Sequence, residues 1–231
     1  MAEFNDLKKA YQIIVNHLME NTQSNDEKEN FVGTAERCAR ALQETCKSED
    51  YIYEEIEKLL SRVFPSEHSE SNDLAYASGG IICQGPIVLH SSCPHHLYPV
   101  IYHAYIAYIP KDNMVLGLSK IARVAKLLAS RPVLQEQLAN DIADTFCRPA
   151  YYDENTDEYE YEESRFPSLI SNGSAVLLIG AHQCMSCRGV LSDAKTVISE
   201  LRGSFLSSDM EQKFYSLVSN IRAGEINGIK I

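Results

Sequence analysis

The chain is short of positive charge: 21 Lys and Arg stand against 32 Asp and Glu, giving a formal net charge of −11. That balance excludes a broad nucleic-acid footprint, which needs clustered cations along the phosphate backbone. An anionic small molecule can still be held, provided that cations are gathered locally. No apolar run is long enough to span a bilayer, so no membrane association is expected. The opening MAEFNDLKKAYQ lacks a basic stretch leading into an apolar one, and no export leader is expected. Seven cysteines (Cys38, Cys46, Cys83, Cys93, Cys147, Cys184 and Cys187) are odd in number and irregularly spaced. This argues against a disulfide framework and fits reduced thiols or metal ligands in a cytoplasmic protein. No internal repeat is present. With 45% hydrophobic and 23% charged residues, the 231-residue chain can bury a sizeable core and is not biased towards disorder.

The first third has helical texture. Phe4, Leu7, Tyr11, Ile14, Val15 and Leu18 recur at helical spacing, and residues 21–26 interrupt them as a polar loop. Thr34 is placed to cap a second helix over 35–46, and 51–64 suits a third. A polar connector follows at 65–72. The texture then changes: 87–90 and 100–109 are strands, the second apolar on both faces, as suits a sheet between a helix layer and a second sheet or subunit. Leu118, Ile121, Ala125 and Leu128 mark one helix stripe, and Leu134, Leu138 and Ile142 the next. Residues 174–180 form a buried strand, and 208–222 a closing helix with Phe214, Leu217, Val218 and Ile221 inward. The expectation is an α+β fold, with a helical segment at 1–72 ahead of a domain at 73–231.

YYDENTDEYEYEES, residues 151–164, carries seven acidic residues and no basic one. It is expected to be a solvated, mobile surface loop inserted at about 149–173. A docking role through its four tyrosines is the alternative.

Two short pieces concentrate the chemistry: SSCPHH (91–96) and AHQCMSCRG (181–189). They supply Cys93, His95, His96, His182, Cys184 and Cys187. Thiolates combined with imidazole favour zinc. Adjacent side chains in extended backbone point to opposite sides, so His95 and His96 should not bind one ion together. Spacing leaves two arrangements open: a closed Cys93/His96/Cys184/Cys187 structural site, slightly favoured by the CxxC, or three ligands with a position left for water. A redox CxxC would call for a thioredoxin-like setting, which is not evident.

SSCPHHLYPV, AYIAYIPKDNMVLGLSKIARVAKLLASRPVLQEQL, AHQCMSCRG and KTVISELRG, with the earlier TAERCARAL, together closely resemble the GTP cyclohydrolase I family from about residue 31 onward. The resemblance implies a tunnelling fold assembled as a homodecamer of two stacked pentamers, with active sites at subunit boundaries. It implies Zn2+ held by Cys93, His96 and Cys184, which leaves Cys187 outside the shell and one position for water. It also implies hydrolytic opening of the guanine imidazole ring of GTP, release of formate and closure to 7,8-dihydroneopterin triphosphate. His182 then corresponds to the donor to guanine N7, His95 to a second acid/base, and Ser119 to a nearby hydroxyl. Glu136 corresponds to the carboxylate that accepts from guanine N1–H and the 2-amino group, supported by Gln135. Arg37, Arg40, Lys120, Arg123 and Arg188 correspond to the triphosphate-binding cations. Pro94, Gln137 and Ile198 depart from the usual Glu, Arg and Thr. Two alternatives are carried: a related purine-ring hydrolase with another substrate or an incomplete reaction, and a non-catalytic homologue with a structural Cys3His zinc site.

Overall fold

The computed structural model describes residues 4–65, 80–111, 114–153, 158–161, 163–169, 171–226 and 229–230. Beyond Pro65, the expected connector lies outside them. The chain divides into two compact units, Met1–Glu49 and Asp50–Ile231.

The first unit holds α1 (Phe4–Glu20), α2 (Asn25–Glu29) and α3 (Thr34–Thr45). Val15 of α1 and the small Ala35 and Ala39 of α3 are its buried residues, while Ile14 and Leu18 of the expected stripe stay exposed. A 3.0 Å ion pair links Lys8 to Glu36 across the two helices. α2 begins inside the expected polar loop, because the Ser24 hydroxyl accepts from the Glu27 amide (3.4 Å) and caps it. Gly33, not Thr34, caps α3: its φ of 76° is one that glycine adopts without a Cβ clash, and Thr34 becomes the first helical residue.

The second unit opens with α4 (Glu49–Leu60), with Ile52 and Ile56 buried at helical spacing. The helix stops short of the expected residue 64 because Val63–Pro65 (β1) pairs with β4 (Met114–Leu116). β2 (Ile82–Ser92) and β3 (Pro99–Ile109) form a hairpin whose register shifts between Gln84 and Ile87. After β4 come α5 (Leu118–Ala129) and α6 (Gln135–Phe146). The acidic segment, expected as a loop, contains an antiparallel pair, β5 (Ala150–Asp153) with β6 (Glu158–Tyr161). β7 (Gly173–His182), the one-turn α7 (Gln183–Ser186), β8 (Thr196–Gly203) and α8 (Ser208–Ala223) follow.

β2, β3, β7 and β8 make a four-stranded antiparallel sheet in that order. Alternate side chains of its central strands enter two cores. Tyr102, Ala104, Ile106 and Tyr108 join Ile121, Leu128, Leu138, Ile142 and Phe146 of α5 and α6. Tyr105, Ala107 and Ile109 join Phe205, Phe214 and Val218. The second face is therefore covered by α8, where a second sheet or subunit was expected. The architecture is α+β, in keeping with the tunnelling fold.

Candidate active site

The site forms where the β2–β3 turn meets the end of β7. The turn is closed by two backbone bonds, Cys93 N–H to Tyr98 O (2.9 Å) and Leu97 N–H to Cys93 O (2.8 Å), with Leu97 in the left-handed region. In the β3–β7 ladder Val100 faces His182. This register carries the chain leaving β7, and with it Cys184 in α7, up to the turn that bears Cys93 and His96. One donor atom from each of Cys93, His96 and Cys184 lies within 4.8 Å of the others. A tetrahedral ion with bonds of about 2.0–2.3 Å separates its donors by roughly 3.5–3.8 Å, so a small contraction would close the three around zinc. Two sulfurs and an imidazole are also the donor chemistry that zinc accepts. Cys93 is buried, and the Cys184 thiol is raised above its ordinary value by burial and by the neighbouring Cys93. A Cys184 thiol that resists ionising alone can exchange its proton for a divalent ion.

The other sulfur and imidazole groups lie outside this trio. Cys187 is exposed and its thiol donates to the Gln183 carbonyl (2.8 Å). The His95 ring stands 6.4 Å from that of His96 at 73°, with Nδ1 3.9 Å from the Cys93 sulfur. The adjacent histidines thus diverge, one towards the cluster and one to its flank.

α6 is tied to this corner by the segment before it. The Ser91 hydroxyl donates to Arg131 O (2.9 Å) and Val133 N–H to Ser92 O (3.2 Å). Buried Arg131 pairs with Asp141, which also accepts from Gln137 (2.7 Å). The first turn of α6 consequently delivers Gln135 and Glu136 to the site. Glu136 is exposed, as its place off the apolar stripe requires. Gln135 is 3% exposed: its amide group donates to Leu178 O (2.9 Å) and Thr196 O (3.1 Å), and its oxygen lies 2.9 Å from His182 Nε2. Because an amide oxygen only accepts, His182 donates from Nε2 and keeps Nδ1 as its second ring atom. Burial pushes the His182 pKa down, against a smaller upward pull from Glu136. Gly180 makes the arrangement possible, since a Cβ there would sit 2.6 Å from Gln135 Oε1 and 2.9 Å from the Tyr102 ring.

The expected cations divide among elements. Lys120 lies 5.8 Å from the Phe64 ring and donates to Arg62 O, while Ser119 and Arg123 are exposed on α5. Arg188 is exposed beyond α7 and draws the Cys184 pKa down slightly. Arg37 and Arg40 belong to α3 in the other unit, where Arg37 bonds Val32 O (3.0 Å) and Thr34 (2.7 Å) and Arg40 pairs with Glu36 (2.6 Å). Tyr102, which sequence reasoning did not single out, sets its ring edge-to-face against His182 (centroids 5.9 Å apart, 82°). A tyrosine within an apolar strand gives no signal for this.

A family profile described as GTP cyclohydrolase I matches residues 11–151. The chain belongs to the GTP cyclohydrolase I family. Among curated relatives, GTP cyclohydrolase 1 of Pelotomaculum thermopropionicum is 34% identical over 206 residues, covering 89% of this chain and 90% of the relative. That of Thermoanaerobacter pseudethanolicus is 31% identical over 210 residues, covering 90% and 93%. That of Bacillus subtilis is 30% identical over 199 residues, covering 86% and 88%. For a GTP cyclohydrolase I family member, Cys93, His96 and Cys184 are the natural candidates for a metal centre, and His182 with Gln135 for its acid/base flank.

Proposed function

We infer that this chain is a GTP cyclohydrolase I, which adds water to the guanine imidazole ring of GTP, releases C8 as formate and recloses the ring system as 7,8-dihydroneopterin triphosphate. The observation that carries this is the convergence of Cys93, His96 and Cys184 beside His182 in a chain of this family. Zinc, held by those three residues, would supply Lewis acidity and an activated water at neutral pH.

The chain's own residues account for the rest. His182, fixed through Nε2 by Gln135, presents Nδ1 for proton exchange at guanine N7. His95, exposed at the flank of the cluster, serves the later proton transfers at the ribose, with Ser119 as a nearby hydroxyl. Glu136 accepts from N1–H and the 2-amino group. Adenine lacks that donor pair and would leave the carboxylate unmatched, so it is rejected. Lys120, Arg123 and Arg188 supply local positive charge of the kind that a chain of −11 needs to hold a triphosphate, and the resemblance gives Arg37 and Arg40 the same task. Release of Lys120 from Arg62 O would be part of binding.

Assembly into a decamer of two stacked pentamers is part of the same inference. Support comes from the sheet, whose outer strands β2 and β8 take no further strand among the described residues and expose Val88 and Val197. No helix of the described residues is long and apolar enough to cross a membrane.

The test is incubation of zinc-loaded protein with GTP. Formate and a pterin that fluoresces after oxidation are expected in equal amounts. A formamidopyrimidine as end product would indicate a hydrolase that stops at ring opening, and no product from fully loaded protein would overturn the inference.

A further inference from the structure

Two tyrosines lie on the same face of β3, both wholly buried in the core under α5 and α6, and their hydroxyls differ. The Tyr108 hydroxyl accepts the Leu116 amide at 2.8 Å. The Tyr102 hydroxyl, equally shut off from solvent, has no hydrogen-bond partner. Leaving such a group unpaired is destabilising, and a strand position that needed only bulk could hold phenylalanine. The ring is also fixed, wedged between Gly180 and the edge contact with His182, so the hydroxyl cannot swing out to water.

Cys93 belongs to the same buried core cluster as Tyr102, and the partly buried Cys184 packs against it. In keeping with that packing, burial first, then Cys93, Glu136 and Cys184, push the Tyr102 pKa up. Glu136 is exposed and solvated. His182 already donates its Nε2 proton to Gln135. The Cys93 sulfur is the buried one, and as a thiol it is a weak acceptor.

We propose that Tyr102 is a positioning residue of the metal centre, its hydroxyl donating to a ligand sulfur of Cys93 or Cys184 once that sulfur is a metal-bound thiolate. This rests on the Cys93/His96/Cys184 metal site proposed above. The bond satisfies the hydroxyl only in the metal-bound protein. Removing the oxygen should therefore act with opposite sign on the two forms, which mere packing cannot do. Outer partners of metal ligands commonly contribute about 10–100-fold in metal affinity.

Tyr102→Phe is compared with wild type and with Tyr108→Phe in the full chain, prepared metal-free. Metal-free Y102F is expected to melt about 2–4 °C above wild type, whereas Y108F, which orphans the Leu116 amide, melts lower. Zinc titration against a chelator is expected to show Y102F binding about 10-fold more weakly, with Y108F unchanged. In cobalt(II)-loaded protein the sulfur-to-metal charge-transfer band of Y102F should move to longer wavelength, because a thiolate that has lost a hydrogen bond gives up charge more readily. Y102F with wild-type zinc affinity and an unshifted band overturns the proposal while leaving the metal site standing. Wild-type protein that binds no zinc removes the metal site and the proposal together.

Discussion

Gln135 and Glu136 are neighbours in sequence and opposites in circumstance. One is sealed behind β7 and β8 with every polar atom engaged, and the other faces solvent. On the proposed function, their shared correspondence to guanine recognition is better divided: Glu136 would meet the base, while Gln135 holds His182. Gln135→Leu should lower kcat by about 10-fold or more with a smaller change in KM for GTP, as expected for loss of an interaction that matters in the transition state. A rise in KM at constant kcat would instead assign Gln135 to the base. Cys187 offers a second check at this scale. Its thiol is spent on Gln183 O at the surface, so Cys187→Ser should keep both zinc stoichiometry and turnover. Zinc loss in that variant, measured by elemental analysis, would favour a closed structural site.

Elements set where these residues stand. The first turn of α6 reaches the site because Arg131 and Asp141 pair in a buried position, with Gln137 completing the carboxylate's partners. Burial raises the Asp141 pKa despite those partners, which marks a pair held under desolvation. Asp141→Asn leaves Arg131 charged and unmatched and should cost about 3–5 kcal/mol, seen as a lower urea midpoint. Gln137 thus has a local role here, although the family's usual residue at that position is Arg. In the other unit, Lys8 and then Arg40 lower the pKa of Glu36 from its ordinary 4.5. A carboxylate lowered on folding contributes stability above its unfolded value, and that contribution is lost as pH falls through the folded value. Hydrogen-exchange protection of α1 and α3 should therefore weaken below about pH 4, and Glu36→Gln should remove that part of the dependence.

At the scale of the molecule, the proposed function requires a chain of −11 to gather its cations where a triphosphate would lie, and among the described residues the four-stranded sheet ends in β2 and β8. Light scattering should give a mass roughly ten times the 25.9 kDa chain, and a monomer would count against sites shared between subunits. The acidic hairpin of β5 and β6 stands apart from these demands. Its backbone pairs Tyr152 with Tyr159, a regularity hidden by composition because charge runs in loops and on hairpins look alike in sequence.

Much of the fold was legible from periodicity alone. α1, α3, α5, α6, α8, β3 and β7 arise where apolar spacing puts them, since burying one stripe or two faces is a local property of the pattern. β1 and β8 were not legible. Val63–Pro65 extends an apolar helix pattern until its partner at Met114–Leu116 is known, and Thr196–Gly203 becomes a strand by pairing with β7. At the site, the sequence by itself determined the inventory, three thiols and three imidazoles in two short pieces, because ligand chemistry belongs to residue type. The family resemblance already implied the ligand trio, and only the tertiary structure decided how the groups come together. The β3–β7 register brings Cys184 to Cys93 and leaves Cys187 outside, Gly180 admits Gln135 to His182, and burial strands the Tyr102 hydroxyl. Each of these depends on which distant backbone lies alongside, a matter of long-range pairing that no local spacing contains.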